Sequence, residues 1–238
     1  AMRKIAVIPA YEPEQKMITL LREAAAQGLE LIVVDDGSGE EFLPIFREAE
    51  SYAYVISYSE NHGKGYALKR AFSYIRESYE GDYTVVVMDC DGQHRVEDAL
   101  ALCEEGERSR TDLVLGSRRQ SGDSPLKSRL GNGITRRVFG LVTGGRLYDT
   151  QTGLRAFTDE LLPKLLEIKG NRYEYEMNML LELARQRIPI RELPIATIYI
   201  DNNAGTHFHA VKDSMRIYKE ILKFSMSSFM SFLVDYLM

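Results

Sequence analysis

Residues 85–94 read Val-Val-Val-Met-Asp-Cys-Asp-Gly-Gln-His, and the fold turns on this stretch. An unbroken apolar run from Val85 to Met88 suits a strand buried on both faces, as in a parallel sheet. Two acids one residue apart, Asp89 and Asp91, then close it. Carboxylates at the end of a buried strand must be capped by backbone N–H groups, paired with a cation, or bound to a metal. Three uses compete: a metal site, a phosphorylated nucleophile and a plain turn.

Outward from this run, strand and helix patterns alternate. Strands are expected at Ile5–Pro9, Leu31–Val34, Tyr54–Tyr58, Thr84–Met88 and Leu113–Leu115. Between them helices are expected at Glu14–Gln27, Glu41–Ala49, Lys64–Ser78 and Val96–Gly106. Short apolar runs separated by helices predict an α/β domain with a mostly parallel central sheet covered on both faces. Beyond Gly116 the pattern changes. A basic, glycine-spotted segment holds Arg118, Arg119, Lys127, Arg129, Arg136, Arg137 and Arg146. Helices are expected at Asp159–Ile168 and Glu174–Arg187, then a strand-like Ile190–Ile200 and a last helix from Ala210.

Polar residues collect after each early strand: Pro9-Ala10-Tyr11-Glu12, Asp35-Asp36-Gly37-Ser38, Asn61-His62-Gly63-Lys64-Gly65, Asp89 to His94, and Gly116-Ser117-Arg118. Open α/β sheets bind ligands in the crevice outside the carboxyl ends of their strands. One polar turn there is ordinary; five on the same edge predict a site. Gly63-Lys64-Gly65 is not a P-loop, because Gly65 stands where Ser or Thr belongs, and Leu68 replaces the third glycine of the dinucleotide fingerprint. Asp89-Cys90-Asp91-Gly92-Gln93 is not an EF-hand either: His94 falls where the loop glycine belongs and Leu100 where the closing Glu belongs. The start of a haloacid-dehalogenase-type nucleophile loop, with Asp89 as nucleophile, is a rival. Against it, Gln93 replaces the usual Thr or Val, and no later strand ends in paired acids. In the metal reading, the two carboxylates supply hard oxygen ligands suited to Mg²⁺ or Mn²⁺, and Gln93 adds a carbonyl oxygen.

The 238 residues, 45% hydrophobic and 27% charged, suit one ordinary globular domain with a substantial core. A net charge of −5 implies no general nucleic-acid affinity. Cys90 and Cys103 give no disulfide framework, which points to a reducing compartment. The stretch Phe224–Met238 contains no Lys or Arg and carries a single acid, Asp235. It is shorter than the roughly 20 residues a membrane span needs. It reads either as an amphipathic helix or as a span cut short, with Lys219 and Lys223 on its cytoplasmic side.

Taken in order, Val33-Val34-Asp35-Asp36-Gly37-Ser38, Asn61-x-Gly63-Lys64-Gly65, Asp89-x-Asp91 and Gly116-Ser117-Arg118 resemble the family 2 glycosyltransferases of GT-A fold. The later Asp149-x-Gln151-Thr152-Gly153-x-Arg155-Ala156-Phe157 and Tyr173-Glu174-x-Glu176 resemble those that transfer sugars to polyprenyl phosphates, the dolichol-phosphate mannose synthase type. The match runs from Ile5 to about Ile221. This implies one Rossmann-like GT-A domain over 1–221 and a helical extension over 222–238, which resembles the entry into a small four-helix membrane domain.

The resemblance implies roles by position. Pro9, Tyr11, Glu12 and Asp36 would line the nucleoside pocket, with Lys64 in reach of it. Asp89, Asp91 and Gln93 would hold Mg²⁺ or Mn²⁺ on the donor diphosphate. Arg118, Arg129 and Arg136 would receive the lipid phosphate, and Asp149, Gln151 and Glu176 would sit near the sugar. An acceptor that is already an anionic phosphate monoester needs cations more than a strong base, so Arg118 and Arg129 rank with Asp91 as the catalytic set. His207 and His209 read as ordinary loop histidines, the alternative being a loop that closes over the donor phosphates. The expected activity is metal-dependent, inverting transfer from a UDP- or GDP-sugar to a polyprenyl phosphate at the cytoplasmic membrane face, the oligomeric state being open. The rivals are the phosphatase and a non-catalytic sugar-nucleotide-binding module.

Overall fold

The structure is a computed structural model, which describes residues 2–118, 139–140 and 143–196. Arg129, Arg136, His207, His209, the helix expected from Ala210 and the whole 222–238 extension lie outside the described residues. Among the described residues seven strands form one sheet: β1 (Arg3–Ala10), β2 (Glu30–Asp36), β3 (Tyr54–Tyr58), β4 (Tyr83–Val87), β5 (Leu113–Arg118), β6 (Arg155–Thr158) and β7 (Ile190–Ile195). The helices are α1 (Lys16–Ala26), α2 (Leu43–Ala49), α3 (Lys64–Ser78), α4 (Val96–Arg108), α5 (Leu162–Glu167) and α6 (Glu174–Arg185).

The strand order is β3-β2-β1-β4-β6-β5-β7. β1 pairs in parallel with β2 and β4, β2 with β3, and β5 with β7. Alternate residues of each strand enter opposite layers. Val85 and Val87 join Ile5, Val7, Ile32, Val34, Phe157 and the inner face of α3 on one side. Val86 and Met88 join Ala6, Ile8, Val33, Ala156 and the inner faces of α1 and α4 on the other. Both layers are buried, which is why the strand reads as an unbroken apolar run. Each Val, Ile, Met or Phe side chain so buried contributes about 1.5–3 kcal/mol from removal of apolar area from water.

Four of the five early strands extend beyond the sequence expectation by one or more residues at an end. β3 matches it at both. The notable difference is β6, which the periodicity does not reveal. It is only four residues long, and it opens with Arg155, a charged residue that is 2% exposed. It runs antiparallel to both β4 and β5. An antiparallel strand begins at the edge where its parallel neighbours end, so Arg155 pairs with Val87 and with Leu115. The segment leading into β6, residues 149–154, is thereby carried to the carboxyl edge of the sheet. The chain leaves β1 towards β2 and β3 and returns on the other side as β4, so that edge also contains a topological switch point.

Candidate active site

The residues after β1 and β2 form one end of the crevice. Glu12 has φ 48°, in the left-handed region, and its N–H donates to Ser38 Oγ at 2.9 Å. The Ser38 N–H donates in turn to Asp35 Oδ1 at 2.9 Å. Pro9 pairs with Val34 in the sheet, and Tyr11 follows half-buried. A hydrogen bond to Glu12, burial and the charge of Asp36 raise the pKa of the Tyr11 phenol.

Asp36 is fully used by the protein itself. Its Oδ1 accepts from the Tyr58 hydroxyl at 2.8 Å and from the His62 N–H at 2.9 Å. Its Oδ2 accepts from Asn61 Nδ2 at 3.0 Å and from the Gly63 N–H at 2.8 Å. The carboxylate therefore fixes the loop that starts α3. Gly63 has φ 102°, and a Cβ there would lie 2.7 Å from the Asn171 carbonyl oxygen. Arg172 closes the same junction by donating to Asn61 Oδ1 at 3.1 Å.

That loop delivers Lys64, the first residue of α3, into the corner after β4. The ammonium stands 2.7 Å from Asp89 Oδ1 and 3.0 Å from Glu176 Oε1 of α6. Its side chain is 14% exposed, which opposes the charge, but the two carboxylates outweigh that burial and raise its pKa. Asp89 Oδ2 lies 3.1 Å from His94 Nε2. Burial opposes ionisation of Asp89, and Lys64 and His94 more than offset it, so the Asp89 pKa lies well below the usual carboxylate range. Asp91 behaves oppositely. Burial and the neighbouring Asp89 charge raise its pKa, although its Oδ1 accepts from the Gln93 N–H at 3.0 Å.

The segment before β6 closes this corner. A Cβ on Gly153 would fall 2.3 Å from Asp89 Oδ2, so only glycine lets that backbone lie against the carboxylate. Arg155 holds the segment from beneath, donating to the Thr152 carbonyl at 3.1 Å and to the Glu176 carbonyl at 2.7 Å. Asp149 is 1% exposed and accepts a bidentate pair from Arg118, Nε at 2.6 Å and Nη2 at 3.1 Å. The Gln151 N–H also donates to Asp149 Oδ1, at 3.1 Å, while the Gln151 side chain is exposed. Glu192 of β7 accepts the Tyr148 and Asp149 N–H groups, each at 2.9 Å.

Of the expected residues, then, Lys64, Asp89 and Glu176 meet directly, and Arg118 meets Asp149. Pro9, Tyr11, Glu12 and Asp36 gather at the neighbouring end of the same edge. His94, Arg155, Asn61, Tyr58 and Glu192 complete the constellation without having been assigned a role from sequence. Asn61, His94 and Arg155 lie inside quoted motifs, so a signal existed. Glu192 gave none, since only the β5–β7 pairing brings it here. Among the described residues, no three His, Cys, Asp or Glu side chains are gathered as a ready metal cage. The chemistry of the corner nevertheless suits a hard cation. Asp89 and Asp91 are neighbouring carboxylates; burial first, and then the Asp89 charge, raises the pKa of Asp91, a cost that a cation between them would offset.

Known proteins bear on this geometry. The UDP-N-acetylglucosamine–dolichyl-phosphate N-acetylglucosaminyltransferase of Methanococcus voltae is 28% identical over 82% of this chain and 85% of its own length. The dolichyl-phosphate beta-glucosyltransferase of Saccharomyces cerevisiae is 27% identical over 91% of this chain and 72% of its own. Among solved structures, glucosyl-3-phosphoglycerate synthase of Mycobacterium tuberculosis with bound UDP superposes with a TM-score of 0.68 at 20% identity, over 94% of this chain and 80% of that one. It shares the GT-A fold. The family model "Glycosyl transferase family 2" matches residues 5–214, nearly the whole chain, so the protein belongs to glycosyltransferase family 2.

Proposed function

We propose that this glycosyltransferase moves a sugar from a nucleotide-diphosphate donor, a UDP- or GDP-sugar, to a polyprenyl phosphate, with inversion at the anomeric carbon and with Mg²⁺ or Mn²⁺. The observation that carries the reading is the corner built by Asp89, Asp91, Lys64 and Glu176, closed by Gly153 and flanked by the Arg118–Asp149 pair. The names of the relatives support the acceptor: they act on dolichyl phosphate, and a 29% identical relative from Edwardsiella ictaluri acts on undecaprenyl phosphate. Family membership removes the phosphatase rival, and the pairing of Asp89 with Lys64 and His94 is poor for a nucleophile.

In this reading Tyr11, Glu12 and Pro9 receive the nucleoside. Asp91, Asp89 and Gln93 hold the cation, which acts when bound as a Lewis acid on the leaving diphosphate. Arg118 and the basic residues that follow it, Arg129 and Arg136 included, draw in the acceptor phosphate. An oxygen of that phosphate forms the new bond to the anomeric carbon as the bond to the nucleotide oxygen breaks. The electron pair leaves with the diphosphate. No proton need move, because the acceptor is already an anion. Asp149, Gln151 and Glu176 orient the sugar. A lipid acceptor puts the reaction at a membrane surface, which we assign to the cytoplasmic face. Among the described residues no helix is long and apolar enough to cross a membrane.

A thermal-shift panel of UDP- and GDP-sugars with and without Mn²⁺ tests the donor and the metal together. One nucleotide should stabilise the protein only when Mn²⁺ is present, by about 3 kcal/mol at a hundredfold excess over its Kd. Asp91→Asn should lose that shift while the ligand-free protein melts normally. The acceptor is tested by incubating the selected labelled donor with a polyprenyl phosphate and, separately, with inorganic phosphate. Label that stays out of the lipid fraction sinks the lipid assignment.

A further inference from the structure

We infer that Lys64 is a built-in counter-ion of this corner: its ammonium holds Asp89 while no divalent cation is bound, and passes to the donor's diphosphate when one arrives. The inference rests on the metal-dependent reading above and adds a coupling device to it. Both Asp89 oxygens are engaged, Oδ1 by Lys64 at 2.7 Å and Oδ2 near His94 at 3.1 Å. A dication that takes up Asp89 competes with Lys64 for it, since two cations at contact distance on one carboxylate repel strongly.

The geometry points to Lys64 as the group that yields. On the Oδ2 side, His94 is 8% exposed, and the Gly153 backbone lies so close that no Cβ fits. On the Oδ1 side stands a flexible four-carbon stem whose ammonium has a second anchor, Glu176 Oε1 at 3.0 Å. The ammonium donates a hydrogen bond to Asp89 Oδ1, whereas Glu176 Oε1 beside it is a buried oxygen held by charge alone. Lys64 can therefore release Asp89, pivot on Glu176 and meet a phosphate oxygen in the same corner. Its position at the start of α3 adds the positive end of the helix to that approach. Metal and nucleotide then help each other beyond their direct contact, because the nucleotide supplies the anion that takes Lys64 off Asp89. Such coupling is reciprocal.

The test measures Mn²⁺ binding by the loss of the free-ion EPR signal, with no turnover involved. Wild type, Lys64→Gln and Lys64→Arg are titrated with and without the diphosphate nucleotide selected by the thermal-shift panel. Without nucleotide, Lys64→Gln should bind Mn²⁺ about tenfold more tightly than wild type, and with saturating nucleotide that advantage should vanish or reverse. Lys64→Arg, which keeps the charge, should follow wild type. In EDTA, Lys64→Gln should melt below wild type, and Mn²⁺ should raise its melting temperature more. Equal Mn²⁺ affinities without nucleotide, or a gain that persists undiminished with it, overturn the inference. So does a Lys64→Gln chain that stays unfolded in Mn²⁺, because the metal then cannot replace the lysine. If wild type binds no Mn²⁺ even with nucleotide, the metal-dependent reading itself fails, a result distinct from the others.

Discussion

Asp36 shows how a residue can look like a ligand contact and serve the scaffold as well. Four donors converge on its two oxygens, all from Tyr58 to Gly63. Hydrogen bonds to a charged group are each worth about 1.5–3 kcal/mol, and removing one partner leaves the other exposed to the full desolvation cost. Asp36→Asn turns an acceptor into a donor facing N–H groups. It should lower stability by about 2–3 kcal/mol in urea unfolding. It should also weaken nucleotide binding, because Lys64 hangs from the same loop. Arg118 and Asp149 are a similar case. The pair is preassembled, and Asp149→Asn should loosen the Arg118 guanidinium, raising KM for the proposed lipid-phosphate acceptor more than it lowers kcat.

At the scale of elements, the short antiparallel strand β6 matters most. It brings the 149–154 segment onto Asp89, and Gly153 is where the two touch. Gly153→Ala should leave the fold intact, with circular dichroism unchanged, yet cut turnover by about a hundredfold, the usual cost of misplacing a reacting group by an ångström. Near-normal turnover in that variant would mean Asp89 does not need its observed position. Arg155 ties β6 to α6 through the Glu176 carbonyl. Arg155→Met fills much of the same volume but leaves buried carbonyls without a donor. A loss of about 2–3 kcal/mol is expected in chemical denaturation.

At the scale of the whole molecule, the two apolar layers hold the carboxyl edge rigid. Phe157 packs edge-on against Phe72, ring centroids 5.2 Å apart, linking β6 to α3. Phe157→Ala should cost about 3–5 kcal/mol and lower the melting temperature, because the cavity it leaves lies in a layer that cannot collapse freely. Since β6 and α3 carry the two walls of the Asp89 corner, the same variant should weaken the proposed metal-dependent nucleotide binding even below its melting point.

Much of this was legible in the chain itself. The apolar runs with polar ends, from Ile5 to Leu115, determine a parallel sheet, because a strand covered on both faces must be apolar on both and can change character only where it emerges. The same logic determines that Tyr11, Asp36, Lys64, Asp89 and Arg118 share one edge. β6 was not legible: four residues opening on a buried arginine carry no period, and its direction depends on the strands it joins. Which partners the polar groups choose was decided only by tertiary structure. Lys64 could have faced a nucleotide, solvent or an acid. It faces Asp89 and Glu176 because α3, β4 and α6 converge there, and an ion pair in a nearly buried corner depends on that convergence.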